Sequence, residues 1–156
     1  MLLLVNVLLA LVWAALIGPF SPANLLLGYV LGYFGLLITT GGGKPGTYVW
    51  RVRATIFFFA FLIYELVAAN VRVAWYTVSN LGDLRPAVLA VPLERMNDIQ
   101  ITTLANLITL TPGTLTIDVA PDRRTLYVHF MHVDDPDEEI AAIKAGFERR
   151  ILEVTT

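Results

Sequence analysis

The sequence predicts a membrane protein with three apolar α-helices, the first two short, followed by a small α+β domain. Hydrophobic residues make up 56% of its 156 residues and charged residues only 15%, whereas charged residues form about a quarter of a typical soluble domain. The charge is also divided unevenly. Residues 1–82 carry four basic groups and one acidic group, net +3, and residues 83–156 carry seven basic and twelve acidic groups, net −5. We therefore expect a transmembrane region over residues 1–82 and a water-adapted domain over residues 83–156.

The first two helices are expected over residues 2–17 and 22–39. The first charged side chain of the chain is Lys44, and so long an uncharged segment is typical of a lipid environment. The turn Gly18-Pro19-Phe20-Ser21-Pro22 separates the helices, with Ser21 as N-cap and proline at the first helical position. A 16-residue helix is only about 24 Å long, so this hairpin is short for a bilayer. A signal peptide fits less well because no basic residue precedes the apolar run.

Three glycines of the second helix, Gly28, Gly32 and Gly35, share one side of it. Small residues on one face let another backbone approach closely in lipid. The alternative is that glycine is simply frequent in membrane helices. The spacing favours a helix-packing face that meets the first helix or another subunit.

The third helix is expected over residues 48–80, with residues 54–71 as its most lipid-compatible part. Glu65 is the only charge within that part. An ionisable group at such a depth is costly and is by default a functional hypothesis. Glu65 is therefore a candidate for an ion path or for pairing with a basic group of another subunit. The alternative is a position near the membrane interface or a pair within its own helix.

Three crossings would place residues 44–53 and the domain on opposite sides of the membrane. The positive-inside rule counts basic residues on each side. Three lie before the third crossing and three at or after its end: Lys44, Arg51 and Arg53 against Arg72, Arg85 and Arg95. Charge counting therefore leaves the orientation open.

The domain is expected to have the order β-α-β-β-α. An edge strand, a helix, a two-stranded hairpin and a final helix are predicted, over residues 87–91, 97–110, 114–119 with 125–131, and from about 134 to 154. Helices packed on one face of the sheet would bury both helical apolar stripes.

Catalytic and metal-binding patterns are weak in this sequence. His129 and His132 lie near Asp134 and Asp135, but residues three apart on a strand point to opposite faces. The acidic run over residues 134–139 suits a helix N-terminus better than a cation loop. Nucleophile-elbow, zinc-protease, Walker and dinucleotide motifs are absent. We expect no enzyme activity, no metal and no cofactor. We expect no nucleic-acid partner because the chain has no basic stripe to neutralise phosphates.

The sequence T-L-A-N-L-I-T-L-T-P-G-T at residues 103–114, followed by Asp118 and by Tyr127-Val128-His129, resembles the E subunit of the multisubunit cation/proton antiporters, the Mrp or Mnh family. The resemblance implies an accessory or structural subunit of a plasma-membrane Na⁺/H⁺ antiporter complex. It also implies that other antiporter subunits and membrane lipid are its partners, that the chain is multi-pass, and that residues 83–156 lie in the cytoplasm. It suggests a subunit-docking role for the turn Thr111-Pro112-Gly113-Thr114, with a plain structural turn as the alternative.

Two other functions remain open on the sequence. The chain could be a membrane-anchored regulatory or ligand-binding domain, in which the helices are only a tether. It could also be the equivalent subunit of a respiratory or hydrogenase membrane complex.

Overall fold

The computed structural model describes residues 1–79, 82 and 84–155. The chain divides into two compact units, Met1–Thr55 and Ile56–Thr156. This division falls inside the third helix and so differs from the compositional boundary at residue 82. Contacts show which residues pack together, whereas composition shows which residues suit lipid or water. The assignment of residues 1–82 to a membrane region and of residues 83–156 to a cytoplasmic domain stays a prediction.

Three long helices precede the sheet: α1 over Leu2–Ile17, α2 over Pro22–Thr39 and α3 over Tyr48–Val78. Asn80, at the expected end of the third helix, lies outside the described residues. Helices α2 and α3 are long and apolar enough to span a membrane, whereas α1 is a shorter apolar helix. By this criterion the described residues contain two candidate spans, and the expected count of three membrane helices is not confirmed.

The α1–α2 hairpin buries small and polar groups. The backbone N–H of Asn24 donates to Ser21 Oγ at 3.2 Å, which is the N-cap that the sequence predicted. The inward positions are Asn6, Ala10 and Ala14 of α1 and Gly28, Gly32 and Leu36 of α2. Large apolar side chains such as Leu4 and Leu16 point outward, with exposed fractions of 66% and 78%.

The second unit contains a three-stranded antiparallel sheet in the order β1-β3-β2. Its strands are β1 over Ala87–Pro92, β2 over Thr114–Val119 and β3 over Thr125–Phe130. Strand β1 is an edge strand, as the sequence predicted. The β2–β3 hairpin has an irregularity between Thr116 and Asp118. The expected order β-α-β-β-α is confirmed.

The helices of this unit are α4 over Asp98–Leu110, α5 over Pro136–Ile143 and α6 over Arg149–Thr155. A capping box, in which Asn97 and Gln100 exchange side-chain-to-backbone bonds, begins α4. A π-helical turn over Lys144–Glu148 separates α5 from α6. The expectation of one regular final helix was therefore wrong in this detail. The apolar spacing fits an ordinary helix, and nothing in it marks the extra residue of a π-turn.

The core lies between the helices and one face of the sheet. Its buried apolar members come from β1 and β3, from α4, and from the segment after residue 130: Val91, Leu104, Ile108, Leu126, Val128, Phe130, Val133, Ile143, Phe147 and Ile151. Phe58, Phe61 and Leu62 of α3 pack against this core. The unit is therefore completed by the second half of α3.

Candidate functional site

The glycine face of α2 meets α1 at two of its three positions. A Cβ on Gly28 would lie 3.0 Å from the Cα of Ala10, and a Cβ on Gly32 would collide with Asn6 Oδ1. Gly35 is exposed, and no described atom lies within 4 Å of its Cβ position. Gly28 and Gly32 thus allow two backbones to approach closely, and Gly35 stands apart from this contact.

A chain of polar side chains accompanies the glycine contact within the first unit. Asn6 is fully buried, and its Nδ2 donates to Tyr48 Oη at 2.9 Å. The hydroxyls of Tyr29 and Tyr48 lie 2.5 Å apart. These bonds join the first residue of α3 to both hairpin helices. The only sequence signal for them was an asparagine in an otherwise apolar helix.

A cleft of about 420 Å³ lies between α3 and the sheet domain. Phe61, Glu65, Ala69 and Arg72 line it from α3, at spacings of three and four residues. At one end the rings of Phe61 and Phe147 meet edge to face, with centroids 5.2 Å apart. The cleft is therefore bordered by one stripe of a long apolar helix and by the core of the domain.

Charged groups of both signs line this cleft. They are Glu65, Arg72, Glu139, Arg149 and Arg150. The Arg150 guanidinium lies 3.9 Å from the centre of the Phe61 ring, a cation–π contact. Burial raises the pKa of the Glu139 carboxyl, and Arg72 opposes that rise. Glu65 thus lines a cleft of its own chain. Its expected role in an ion path or in inter-subunit pairing stays a prediction.

The turn Thr111-Pro112-Gly113-Thr114 ends α4 and also borders the cleft. The hydroxyls of Thr111 and Thr114 both donate to the carbonyl oxygen of Ile108 at 2.6 Å. Gly113 has a φ of +92°, a backbone conformation that favours glycine. These bonds satisfy a carbonyl at the helix end and account for the residue types. The docking role stays a prediction.

An ion pair with a buried carboxylate and a half-buried lysine joins the π-helical turn to β1. The sequence pattern did not single it out. Glu148 is 2% exposed. Its Oε2 accepts from Lys144 Nζ at 2.6 Å, and its Oε1 accepts from the backbone N–H of Glu94 at 2.7 Å. Lys144 Nζ also donates to the carbonyl of Pro92 at 2.9 Å. The i, i+4 spacing of the two charges was visible in the sequence, but the burial of Glu148 was not.

The two histidines have separate surroundings. His132 Nε2 lies 3.2 Å from Asp134 Oδ1, and its Nδ1 accepts from the backbone N–H of Arg85 at 3.2 Å. His129 lies between Val88 and Leu115 in the sheet register. Within the part of the chain that the structure describes, no group of three or more His, Asp or Glu residues could hold a metal ion.

Comparison with known proteins identifies the chain's relatives. A family model described as "Na+/H+ ion antiporter subunit" matches residues 6–154. The chain is 37% identical over 153 residues to the E subunit of the Na⁺/H⁺ antiporter of Bacillus subtilis, covering 98% of this chain and 97% of the relative. It is 33% identical to the E subunit of the Na⁺/H⁺ antiporter of Alkalihalophilus pseudofirmus, covering 98% and 97%.

Two solved structures share the fold. A chain of the Mrp complex from Dietzia gives a TM-score of 0.52 at 24% identity, covering 65% of this chain and 96% of that one. A chain of the membrane-bound sulfane sulfur reductase, an archaeal respiratory membrane complex, gives 0.54 at 24% identity, covering 96% of each chain. At this level of identity the similarity concerns the fold.

Proposed function

This chain belongs to the family of Na⁺/H⁺ antiporter E subunits, and on that premise we propose that it is an accessory subunit of a multisubunit sodium/proton antiporter. It supports assembly and ion transport, while other subunits form the main ion path. Its partners are those subunits and the surrounding lipid. The relatives at 37% and 33% identity are named as antiporter E subunits, and each matches this chain over nearly its whole length.

The distribution of ionisable side chains is the observation that supports an accessory role. Residues 1–43 contain none in their side chains apart from two tyrosines, and residues 54–71 contain one carboxyl, Glu65. A proton or cation path through a membrane needs a succession of titratable or polar groups. One carboxyl is too few for that purpose, so the path requires side chains of other subunits.

The α1–α2 hairpin and the domain have separate places in this proposal. The hairpin lies in the plasma membrane as two passes, because its outward side chains are large and apolar. The domain lies in the cytoplasm, as the family resemblance implies. The Thr111–Thr114 turn contributes to docking of a neighbouring subunit, as the family resemblance suggests.

Purification and reconstitution test this function. The tagged chain is expected to co-purify with the other antiporter subunits in mild detergent. Vesicles with the complete complex should show Na⁺-driven proton movement, and vesicles with this chain alone should show none. Antiport by the isolated chain would contradict the accessory role, and purification as a lone monomer or homodimer would favour a membrane-anchored regulatory domain.

Glu65→Gln tests whether the carboxyl contributes to transport. The substitution keeps the size of the side chain and removes its charge, so antiport is expected to fall by more than the yield of the assembled complex. Tyr64→Phe is the matched control, because Tyr64 is the adjacent residue and is 67% exposed. Unchanged Na⁺-driven proton movement with Glu65→Gln would remove Glu65 from any ion path.

A subunit of a respiratory membrane complex is the second candidate. The full-length structural similarity to a chain of the sulfane sulfur reductase complex favours it. The genes next to this one discriminate the two functions: genes for a catalytic redox subunit would favour the respiratory complex, and their absence beside antiporter genes would favour the antiporter.

A further inference from the structure

The sheet domain lies along most of the second half of α3. Phe58 and Phe61 touch the domain core, Ala69 and Arg72 line the cleft, and the ring of Tyr76 lies 5.2 Å from that of His132. From Phe58 to Tyr76 the helix rises by about 27 Å. The length of α3 in contact with the domain is therefore close to the hydrocarbon thickness of a bilayer, about 30 Å.

The opposite face of this half-helix is exposed and mostly apolar. Its exposed polar side chains, Asn70 and Thr77, donate to backbone carbonyls of the same helix. Its large side chains are between 56% and 79% exposed: Ile56, Phe57, Phe59, Ile63, Tyr64, Val67, Val71, Trp75 and Val78. The two charged residues of this segment, Glu65 and Arg72, both line the cleft on the domain side. The segment therefore separates an uncharged outer face from a face covered by a water-adapted domain.

A perpendicular crossing by this segment would take the domain into the hydrocarbon. Arg149, with a side chain that is 61% exposed, lines the cleft beside α3, and Asp134, 80% exposed, lies beside His132 at the far end. Each such charge costs a few kcal/mol at the bilayer centre. The sheet also has two edge strands, β1 and β2, and open sheet edges do not occur in lipid.

We propose that residues 56–78 lie flat in the membrane interface, with the uncharged outer face in lipid and the domain on the aqueous side. This arrangement replaces the third crossing that the sequence predicted. It rests on the proposed membrane location of the chain and adds to it a position for α3.

The charge distribution supports this position independently. With two crossings, residues 44–53 and the domain face the same side of the membrane. All six basic residues between positions 44 and 95 then lie on that side: Lys44, Arg51, Arg53, Arg72, Arg85 and Arg95. The other side is left with the uncharged α1–α2 turn. The positive-inside rule, which three crossings left undecided, then places this side in the cytoplasm.

The side-chain types on the outer face of residues 56–78 indicate that lipid covers this face, rather than a membrane helix of another subunit. Close helix contacts in membranes use small residues, as α1 and α2 do at Gly28 and Gly32. Helix α3 contains no glycine, and its outer face carries phenylalanine and branched side chains. Tyr64 and Trp75 on that face are residue types enriched at the membrane interface.

Sided labelling in the assembled complex tests the crossing. The chain has no cysteine, so Lys44→Cys and Glu138→Cys each introduce a single exposed thiol. A membrane-impermeant maleimide is expected to label both variants in inside-out vesicles and neither in right-side-out vesicles. Labelling of the two thiols from opposite sides would show that α3 crosses and would overturn the proposal.

Spin labels on the outer face test its depth and its occupant. Labels at Ile56, Ile63, Val71 and Val78 are expected at a common shallow depth, about 5–10 Å below the headgroups, with high accessibility to oxygen. Depths that rise toward the bilayer centre and fall again would indicate a crossing. Low oxygen accessibility at all four positions would indicate a partner subunit and would also overturn the proposal. A label at Ala69, which is 6% exposed, is the shielded control.

Failure of the proposed membrane location gives a different result. A chain that alkaline carbonate removes from membranes would contradict the location itself. Opposite-sided labelling in a carbonate-resistant complex contradicts only the interfacial position of α3.

Discussion

The α1–α2 hairpin and the sheet domain distribute their side chains in opposite ways. In the hairpin, Asn6, Gly28 and Gly32 are buried while large apolar side chains point outward. In the domain, leucine, isoleucine and phenylalanine form the core and most charges are outside. Water favours the second distribution because apolar burial stabilises it. Lipid removes that driving force, so close backbone contact and polar bonds hold the hairpin together.

The comparison also separates two kinds of sensitivity to substitution. The hairpin should be most sensitive to added volume, since its helices touch through positions without a side chain. The domain should be most sensitive to removed atoms, since its core and its buried Glu148 carboxylate depend on large or charged groups. Four substitutions, three of them with a matched control variant, test this contrast from the largest expected effect to the smallest.

Glu148→Ala should cause the largest loss, about 3–5 kcal/mol in the free energy of unfolding of the domain, because two hydrogen bonds to a charged group are lost at about 1.5–3 kcal/mol each. It leaves Lys144 and the N–H of Glu94 without their bonds to a carboxylate that is 2% exposed. Hydrogen exchange of the domain measures the loss. The control is Glu153→Ala, whose partner Arg149 is 3.7 Å away with both side chains exposed, so less than about 1 kcal/mol is expected. Equal losses in the two variants would contradict the importance of burial.

Phe61→Ala should destabilise the contact between α3 and the domain by about 3 kcal/mol. The variant loses the edge contact with Phe147 and the cation–π contact with Arg150. Protease sensitivity of the α5–α6 segment is the measurement. Phe59→Ala is the matched control, because Phe59 lies two residues away and is 56% exposed. If Phe59→Ala exposed the segment as strongly, the domain-facing stripe of α3 would be wrongly assigned.

Gly32→Leu should weaken the hairpin by about 2 kcal/mol, because overpacking forces the helices apart. The Cβ alone would collide with Asn6 Oδ1 and lie 3.2 Å from Leu9 Cβ. The yield of co-purified partner subunits is expected to fall. Gly35→Leu, at a position with open space, should leave the yield unchanged. A loss of yield with Gly35→Leu but not with Gly32→Leu would contradict this prediction. It would show that assembly depends on the exposed part of the glycine face.

Glu139→Gln should have the smallest effect, with a defined dependence on pH. Burial raises the pKa of Glu139 above its ordinary value of 4.5, so the folded state binds the proton more tightly than the unfolded state. The stability of the wild type therefore falls as pH rises through the interval that begins near 4.5 and ends at the raised value. The substitution should remove this fall, so the variant gains relative stability near neutral pH and none in acid. Melting temperatures across this interval test the sign, and a relative gain only in acid would contradict it.

Most of the local structure could be predicted from the sequence. The Ser21-Pro22 start of α2, the alternation of apolar residues in β2 and β3, and the turn at Pro112-Gly113 all depend on neighbouring residues. Their signals lie within a few positions, so the predicted bounds match the observed helices and strands closely. The π-helical turn at Lys144–Glu148 was not predictable, because the apolar positions around it keep ordinary helical spacing.

The candidate site was predictable only in its residue types. Glu65 was recognised as unusual from its position in an apolar segment, but the sequence could not show which face of α3 it occupies. Asn6 meets Tyr48 across 42 positions, and Glu148 meets Glu94 across 54. Such contacts depend on how elements pack, and no local pattern records them.

By itself, the sequence determined the class of the protein, because hydrophobic content and the segregation of charge fix which part suits lipid and which suits water. It also determined the family, through the motif at residues 103–114 and the similarity over nearly the whole chain. Only the tertiary structure decided that one stripe of α3 packs against the domain while the opposite stripe stays apolar and exposed. Hydropathy averages all faces of a helix, whereas packing distinguishes them. Helix α3 therefore resembles a membrane span in sequence, while one stripe of its second half becomes a wall of the cleft in the fold.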